Sequence, residues 1–382
     1  MEGVSYWLDR PYSPRPALSS DTQADVVVIG GGITGVSAAY HAVENGFKTI
    51  LVEKDAIASG SAGKNGGMVV GELHLDLCEL ADAFGEPEAV ELWKAARGTR
   101  DYVFSLVRKH RIDCDLEQPG TLYLGIAADS RKKLEREHAY RTRNGFDCAL
   151  EEPGTQFKES AIGEVLYIPE EGTLHPVKFV RGLADIAEAR GLRIFEGTPA
   201  LRYDAHSVAT PRGTISAGKV ILATESALPD LRKEEGRIIR EIALVTEPLS
   251  EEATVRMDVK RRAMFWGTDD EINGRWIGDR LFLNGDTALE PSADDFERDK
   301  RKILDTFLGY FPQLDRSELR FSHEWSGLLL YPAHYHPLIL EHNGYYKVFG
   351  QNGNGLTNGI MTGKMIADSF LGKEIPEVYR TL

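Results

Sequence analysis

Residues 25–53 have the sequence DVVVIGGGITGVSAAYHAVENGFKTILVE, and this stretch predicts a strand, a glycine-rich turn, a helix and a second strand. The first strand, 25–29, is apolar after its first residue, as in a strand buried on both faces of a parallel sheet. A helix is expected over 33–45, ended by Gly46, and residues 49–53 form the second strand. The stretch therefore predicts a βαβ unit.

The turn between the first strand and the helix, GGGITG at 30–35, fits the pattern G-x-G-x-x-G. In this pattern Gly30 permits the tight turn, Gly32 lets the backbone approach a pyrophosphate, and Gly35 lets helix and strand pack closely. The N-terminus of the helix presents free N–H groups to the anion. Glu53 ends the second strand and is placed to accept hydrogen bonds from an adenosine ribose. Together these features predict dinucleotide binding, and the turn alone does not decide between FAD and NAD.

Composition bounds the class of protein. The chain has 382 residues, which suggests two or three domains, and a formal net charge of −14, which argues against nucleic acid and anionic membrane surfaces as partners. Its three cysteines form no CxxC pair and no cluster with histidine at metal-ligand spacing, so no metal site is expected. Neither a signal peptide nor a run of 18 apolar residues is found, which favours a soluble cytoplasmic protein.

Other segments indicate the remaining architecture. A charged surface helix is expected over 130–144, and a strand-rich block over 237–286 suggests an inserted antiparallel sheet. Asn273-Gly274 and Asn343-Gly344 each resemble the type I′ turn of a β-hairpin. A second glycine-rich turn precedes a helix over 356–370.

Three further segments carry a resemblance to the FAD-dependent amine and amino-acid oxidoreductases, the family of glycine oxidase, D-amino-acid oxidase, sarcosine oxidase and gamma-glutamylputrescine oxidase. Residues 60–67, GSAGKNGG, resemble the family's G-x-S-G-R-N-G-G loop, most closely in the gamma-glutamylputrescine branch. Residues 172–183, GTLHPVKFVRGL, resemble a helix entry of that branch. WSG at 325–327, PLI at 337–339 and GQNGNGLTNGIMTGK at 350–364 resemble the family's C-terminal pattern. The resemblance spans nearly the whole chain.

The resemblance implies an α/β chain with a discontinuous, Rossmann-like FAD-binding domain and an inserted antiparallel-sheet substrate domain. We expect an N-terminal arm at 1–23, the FAD-binding domain at 24–80, 160–228 and 325–382, and the substrate domain at 81–159 and 229–324. A second helix N-terminus after Gly353 and Gly355 favours FAD over NAD, because its dipole would stabilise the negative charge of a reduced flavin.

The expected FAD contacts come from the turn, the second strand end, the glycine-rich loop and the C-terminal turn. They are Gly30, Gly32, Ile33, Thr34, Gly35, Glu53, Lys54, Ser61, Ala62, Lys64, Asn65, Gly66, Gly67, Met68, Ala200, Ala223, Thr224, Gly327, Gly353, Asn354, Gly355, Leu356 and Thr357. Two positions depart from the family: Asn354 replaces the histidine of Gly-His-Gly, and Glu225 replaces the glycine of Ala-Thr-Gly. Since the cysteine or histidine that attaches flavin in some relatives is missing, we expect FAD to be non-covalent.

The substrate is expected to be an amine, oxidised by hydride transfer to the flavin after arriving deprotonated, so that no catalytic acid–base pair is required. The arginine or lysine clamps with which relatives bind a substrate carboxylate correspond to Leu329, Val70 and Thr357 here. Their absence favours a primary or secondary amine over a small α-amino acid. The candidates for an aromatic pocket wall are Trp266, Tyr331, His334 and His336, and for a remote carboxylate Arg240 and Arg262.

Several alternatives remain open at this point. The electron acceptor is O2 or another molecule, such as a quinone or a partner flavoprotein. Oxidation of an amino acid, a 2-hydroxy acid or glycerol phosphate is also carried out on this fold, and a flavin-binding protein without turnover is a third possibility. The sequence indicates neither the identity of the amine nor the oligomeric state.

Overall fold

A computed structural model describes residues 3–73, 75–125, 128–154, 157, 160, 162–225, 236–257, 259–266, 272–287, 295–332 and 336–380. Along the chain the strands are β1 (Thr22–Ile29), β2 (Thr49–Val52), β3 (Met68–Val69), β4 (Thr121–Gly125), β5 (Ala149–Glu151), β6 (Glu164–Ile168), β7 (Gly172–Thr173), β8 (Arg193–Phe195), β9 (Arg202–Tyr203), β10 (Ser207–Thr210), β11 (Gly213–Leu222), β12 (Gly236–Thr246), β13 (Ala263–Trp266), β14 (Ile272–Ile277), β15 (Arg280–Thr287), β16 (Phe321–Pro332), β17 (Leu338–His342) and β18 (Tyr345–Phe349). The α-helices are α1 (Ile33–Glu44), α2 (Leu77–Phe84), α3 (Glu86–His110), α4 (Ala128–Arg143), α5 (Pro176–Glu188), α6 (Glu251–Arg256), α7 (Asp295–Tyr310) and α8 (Gly355–Ser369).

The first large sheet is the predicted Rossmann-like layer. Its strands run in the order β17-β18-β11-β1-β2-β8, with β10 paired to β11 and β9 paired to β10. Strand β1 is parallel to both β2 and β11, and its residues 26–29 are buried, as the apolar run predicts. Helix α1 packs against α5 and α8, and these helices share one hydrophobic core with one face of the sheet. The α/β fold class is therefore confirmed.

The second large sheet runs in the order β16-β12-β15-β14-β13-β4-β6-β5 and is antiparallel except where β13 pairs with β4. It contains β6 and β16, both of which include residues expected to belong to the FAD-binding domain. The division into domains stays a prediction, since sheet membership alone does not define independent folding units.

One predicted hairpin turn is confirmed and one is wrong. Asn343 and Gly344 join β17 to β18 with φ values of 49° and 81°, as a type I′ turn requires. Asn273 and Gly274 instead lie inside β14, where they pair with both β13 and β15. The chain turns at Gly278, whose φ is 60°. Continuous pairing on both sides of β14 outweighs the local preference of the Asn-Gly pair.

The N-terminal segment lies on the body of the protein. Trp7 is 1% exposed, and its indole Nε1 donates a hydrogen bond to the carbonyl of Asn65 at 2.8 Å. The Ser5 hydroxyl donates to the carbonyl of Gly63 at 2.6 Å. The segment therefore supports the glycine-rich loop at 58–71.

Helix α4 is not purely a surface helix, which corrects the expectation for residues 130–144. Glu137 and Arg141, one turn apart, are 0% and 1% exposed and form a salt bridge of 2.6 Å. Burial of these two charges is tolerated because they pair with each other. Glu137 also accepts hydrogen bonds from the N–H groups of Leu77 and Cys78 at the start of α2. In the part of the chain that the structure describes, no helix is long and apolar enough to cross a membrane.

Candidate active site

A cavity of about 490 Å3 lies at the carboxyl ends of β1, β2 and β11, where a parallel sheet of this type binds its ligand. We call it the dinucleotide cavity. Its wall includes Gly30, Gly32, Ile33, Thr34, Glu53, Lys54, Ser61, Ala62, Asn65, Ala200, Ala223, Thr224, Gly353 and Gly355. Residues from the turn, the glycine-rich loop and the C-terminal turn, which are far apart in the chain, are thus brought together.

The turn at the start of α1 has the geometry that its glycines predict. Gly30 has φ 112°, and a Cβ there would lie 2.5 Å from the carbonyl oxygen of Ala223. At Gly32, by contrast, a Cβ would meet no heavy atom of the described residues within 4 Å, so its backbone faces open space. No side chain of the described residues caps α1, which leaves its first N–H groups directed at an approaching anion.

The carboxylate of Glu53 lies where β2 ends. Its Oε2 accepts the N–H of Gly31 at 2.6 Å, and its Oε1 accepts the N–H of Asp55 at 2.9 Å. Each oxygen retains a second lone pair. The side chain is therefore fixed in the cavity wall and can still accept hydrogen bonds from the hydroxyls of a ribose.

Buried polar atoms test whether this cavity fits a polar ligand. The hydroxyl of Thr224 and the Oε1 atom of Gln351 are buried in the cavity wall and have no hydrogen-bond partner within the described part of the chain. Buried polar groups in proteins are normally satisfied, so these atoms point to a ligand with complementary groups. Helix α8 also begins at this cavity without a side-chain cap, as the second glycine-rich turn predicts.

Arg275 holds the glycine-rich loop in place and was not predicted from the sequence. Its Nη1 donates to the carbonyls of Gly66, Gly67 and Leu174 at 3.1, 2.9 and 2.8 Å. Burial lowers the pKa of this guanidinium to about 10. Arg275 thereby ties Gly66 and Gly67 of the loop to the segment just before α5.

Glu225, which replaces a glycine of the family pattern, keeps a backbone conformation typical of glycine and adds hydrogen bonds through its side chain. Its φ is 48°, in the left-handed region that favours glycine. Its carboxylate accepts the N–H groups of Gly350 at 3.2 Å and Gln351 at 3.1 Å, at the start of the second glycine-rich turn. Burial raises the pKa of Glu225 to about 7, opposed by these two N–H groups. The side chain thus contributes turn contacts that glycine cannot make.

A Glu225→Gln variant should be more stable than the wild type at pH 8. The pKa of Glu225 is raised in the folded protein from 4.5 to about 7. Below pH 4.5 its side chain is protonated in both the folded and the unfolded protein. As the pH rises through 7, the folded protein must hold the ionised carboxylate in its interior, and its stability falls relative to that of the Gln variant. The difference in unfolding free energy should reach about 3 kcal/mol at pH 8 and vanish near pH 4.5. Denaturant unfolding of the apoprotein at both pH values measures it.

The exposed residue Glu374 provides the control. Glu374→Gln should change the unfolding free energy little at either pH, since exposed substitutions usually stay within about 0.5 kcal/mol. Equal behaviour of the two variants would contradict the role assigned to the burial of Glu225.

A second cavity, of about 260 Å3, adjoins the first and shares Asn65, Leu329, Asn352, Gly353 and Gly355 with it. We call it the carboxylate cavity, because its wall contains the acidic residues Glu72, Asp76, Glu137 and Glu241 and the basic residues Lys133 and Arg141. Neutral polar groups of Tyr123, Asn273, Asn284 and Asn354 complete much of the wall. Its charged side chains were not assigned to a site from the sequence.

The predicted residues that line the carboxylate cavity are Gly66, Gly67, Met68, Asn354, Leu356 and Tyr331, in addition to the shared ones. Four predicted cofactor residues line neither cavity: Gly35, Lys64, Gly327 and Thr357. Gly35 packs on the turn, and the Lys64 carbonyl accepts a hydrogen bond from the Trp325 indole at 2.9 Å. Gly327 faces the Lys64 side chain, and Thr357 is buried in α8.

The other pocket candidates are placed differently from what we expected. His336 lies outside both cavities, with its ring near Tyr379. Arg240 is paired with Asp299, and Arg262 with Glu151. His334 and the side chain of Trp266 lie outside the described residues. The aromatic wall is therefore represented by Tyr331, together with Tyr123 and Phe265.

A salt-bridge network forms one wall of the carboxylate cavity. Arg141 binds Glu137 through Nε at 2.6 Å and Glu72 through Nη2 at 2.9 Å, with its guanidinium 4.7 Å from the ring centre of Trp93. The Tyr123 hydroxyl donates to the other oxygen of Glu72. Nothing in the local pattern of these residues marks them, since they come from α4, β4 and the loop after β3.

Comparison with known proteins identifies the family. A family model described as "FAD dependent oxidoreductase" matches residues 25–369. The chain belongs to this family. The resemblance inferred from the glycine-rich segments is thereby confirmed, and this oxidoreductase uses FAD as its cofactor.

Known relatives agree with this assignment. The gamma-glutamylputrescine oxidoreductase of Escherichia coli (strain K12) is 26% identical over 381 residues, which cover 94% of this chain and 87% of that protein. The glycine oxidase of Bacillus licheniformis is 22% identical, over 92% of this chain and 94% of that one. Among solved structures, glycine oxidase from Geobacillus kaustophilus superposes with a TM-score of 0.73 at 19% identity, covering 92% of this chain and 96% of that chain. The solved structure shows a shared fold.

Proposed function

We propose that this FAD-dependent oxidoreductase oxidises a C–N bond of a primary or secondary amine to an imine, which then hydrolyses. FAD, when bound, accepts the hydride from the substrate carbon next to the nitrogen. For the cofactor itself, we propose that the N-terminus of α1 and Gly32 bind the pyrophosphate, Glu53 the ribose, and the N-terminus of α8 the ring end. Since no attaching side chain is expected, FAD should be held non-covalently.

The observation that carries the proposal is the charge of the carboxylate cavity. Four acidic side chains line it, against two basic ones that are themselves paired with acids: Lys133 with Asp76, and Arg141 with Glu72 and Glu137. Such a wall attracts an ammonium group and repels an anion, because like charges at close range in a partly desolvated site are unfavourable. It therefore favours a cationic amine over a substrate with a carboxylate near its reacting carbon.

The positions at which relatives carry a carboxylate clamp support the same substrate class. Leu329 lies between the two cavities and Val70 lines the carboxylate cavity. Thr357 is 3% exposed and donates a hydrogen bond to the Asn354 carbonyl. None of these side chains can form a bidentate ion pair with a carboxylate.

Oxidation of an amino acid or a 2-hydroxy acid is the second candidate, and one observation favours it. The Nη1 atom of Arg141 is buried in the wall of the carboxylate cavity and has no hydrogen-bond partner in the described part of the chain. Arginine is the usual ligand of a substrate carboxylate. We rank this candidate second, because the two carboxylates bound to Arg141 offset its charge.

Anaerobic titration of the purified flavoprotein distinguishes the candidates. Primary and secondary alkylamines, including a diamine, should bleach the visible flavin absorption, whereas glycine, sarcosine, D-alanine and lactate should not. Turnover of the latter group at ordinary oxidase rates would overturn the proposal. No bleaching by any member of either group would favour a flavin-binding protein without turnover. The rate of reoxidation in air then identifies O2 or another molecule as the acceptor.

A further inference from the structure

The carboxylate of Glu72 differs from the other acids of the carboxylate cavity. It lies on the loop between β3 and α2, and 12% of its side chain is exposed. Arg141 donates to Oε1 at 2.9 Å, and the Tyr123 hydroxyl donates to Oε2. Each oxygen therefore keeps a second lone pair that can accept a further hydrogen bond.

The remaining acids of the wall have structural partners. Glu137 accepts the N–H groups of Leu77 and Cys78 as well as the Nε of Arg141, so it fixes the start of α2. Asp76 caps the same helix and pairs with Lys133 at 3.0 Å. Glu241 lies on β12 and accepts a hydrogen bond from Asn284. Within the described residues, the Glu72 carboxylate is bound by Arg141 and the Tyr123 hydroxyl and by no backbone N–H group.

We propose that Glu72 is a catalytic residue that accepts the proton which a substrate ammonium must lose before its C–N bond is oxidised, and that Tyr123 and Arg141 position its carboxylate. This inference rests on the proposed amine oxidation.

The step is a proton transfer that conserves charge and electrons. A lone pair of the Glu72 carboxylate takes the proton, an O–H bond forms and an N–H bond breaks. The electron pair of that N–H bond stays on nitrogen. The ammonium becomes a neutral amine, the carboxylate becomes a carboxylic acid, and no oxidant is consumed.

The surroundings of Glu72 suit it to this exchange. Burial and the nearby Glu171 carboxylate raise the pKa of Glu72 to about 8, while Arg141 and Tyr123 act in the opposite direction. An ordinary glutamate is a poor base for an alkylammonium, whose pKa is about 10, and the raised value brings the two closer. The charged and titratable groups around Glu72 are Tyr123 on β4, Arg141 and Glu137 on α4, Asp76 at the start of α2 and Glu171 before β7.

Asn284 provides a second, independent indication of a ligand with N–H donors. It is 5% exposed and lines the same cavity, and its Oδ1 has no hydrogen-bond partner in the described residues. Its Nδ2 group is already used, because it donates to Glu241. A primary alkylammonium carries three N–H donors and keeps two after losing one proton, so an acceptor in the same cavity as Glu72 remains useful throughout the step.

The test is the pH profile of kcat/KM for a primary alkylamine, measured with the FAD-loaded enzyme. In the wild type kcat/KM should rise with pH and level off above about 8, as Glu72 becomes ionised. In Glu72→Gln the rise should move towards about 10, the pKa of the amine itself, and kcat/KM near pH 7.5 should fall by about 10²–10⁴-fold. An amine of lower pKa should restore much of this loss.

Two further variants separate proton transfer from structure and charge. Tyr123→Phe removes a hydrogen bond that lowers the pKa of Glu72, so the rise should move to higher pH in this variant. Glu241→Gln removes a charge from the same cavity and should raise KM without moving the profile. Equal flavin content and melting temperature show that each variant is folded.

Each outcome has a distinct meaning. If the wild type oxidises amines and Glu72→Gln keeps its pH profile, the role of Glu72 is overturned while the proposed function stands. If the wild type oxidises no amine at any pH, the proposed function itself fails.

Discussion

A Gly35→Ala variant should lose FAD. A Cβ at this position in α1 would lie 1.9 Å from the carbonyl oxygen of Gly30 and 3.0 Å from its carbonyl carbon. Both atoms belong to the backbone of the phosphate turn, so no side-chain rotation relieves the overlap. The turn must shift, at a cost of about 3 kcal/mol or more. We expect FAD affinity to fall by at least about 10²-fold, which corresponds to that cost, as measured by flavin content and by titration of the apoprotein.

Two other glycines make this experiment specific. Gly98 lies in α3, where an added Cβ would meet no heavy atom of the described residues within 4 Å, so Gly98→Ala should keep FAD and gain about 0.5–1 kcal/mol of stability. Gly32 lines the dinucleotide cavity, and a Cβ there would meet no heavy atom of the described residues within 4 Å, so Gly32→Ala should fold normally but bind FAD more weakly. Full flavin content in Gly35→Ala would contradict the assigned packing role.

An Arg141→Met variant should show the largest loss of stability, about 3–5 kcal/mol in the free energy of unfolding. Arg141 is 1% exposed, and its removal leaves Glu72 and Glu137 in the protein interior without their common partner. Methionine fills a similar volume but supplies no charge or donor. Urea unfolding of the apoprotein measures the effect.

The neighbouring residue Arg143 is a matched control on the same helix. It pairs with Glu86, but its side chain is 46% exposed, so Arg143→Met should cost less than about 1 kcal/mol. Adding Glu137→Gln to Arg141→Met should recover part of the stability, since it removes a buried charge that has lost its partner. Similar losses in the two single variants would show that burial does not determine the strength of these pairs.

Features encoded locally were predictable from the sequence. The strand, turn and helix at 22–44 follow from an apolar run and from glycines with a conformational or packing requirement. Glu53 was placed at the cavity because a strand end has a fixed relation to the turn beside it. The hairpin at Asn343 and Gly344 was also predictable, since both residues adopt the positive φ that the turn demands.

Local signals failed where pairing or burial outweighed them. The Asn273-Gly274 pair has the preferences of a turn, but hydrogen bonds on both sides keep it in β14. Helix α4 has the charge pattern of a surface helix, and only its contacts with α2 and with the loop after β3 explain the burial of Glu137 and Arg141. The periodicity of a sequence shows which residues are polar. It does not show whether a distant segment supplies an ion-pair or hydrogen-bond partner that allows such a residue to be buried.

The sequence by itself determined the dinucleotide-binding unit, because its glycines supply the turn and the close packing that the unit requires. The resemblance of the other glycine-rich segments pointed to the FAD-dependent family. The tertiary structure decided which side chains line the carboxylate cavity. Glu72, Tyr123, Arg141, Glu241 and Asn284 come from separate elements, and only the tertiary structure brings them around one cavity. The raised pKa of Glu72 arises from burial and from the proximity of other acids, which have no signature in a linear pattern.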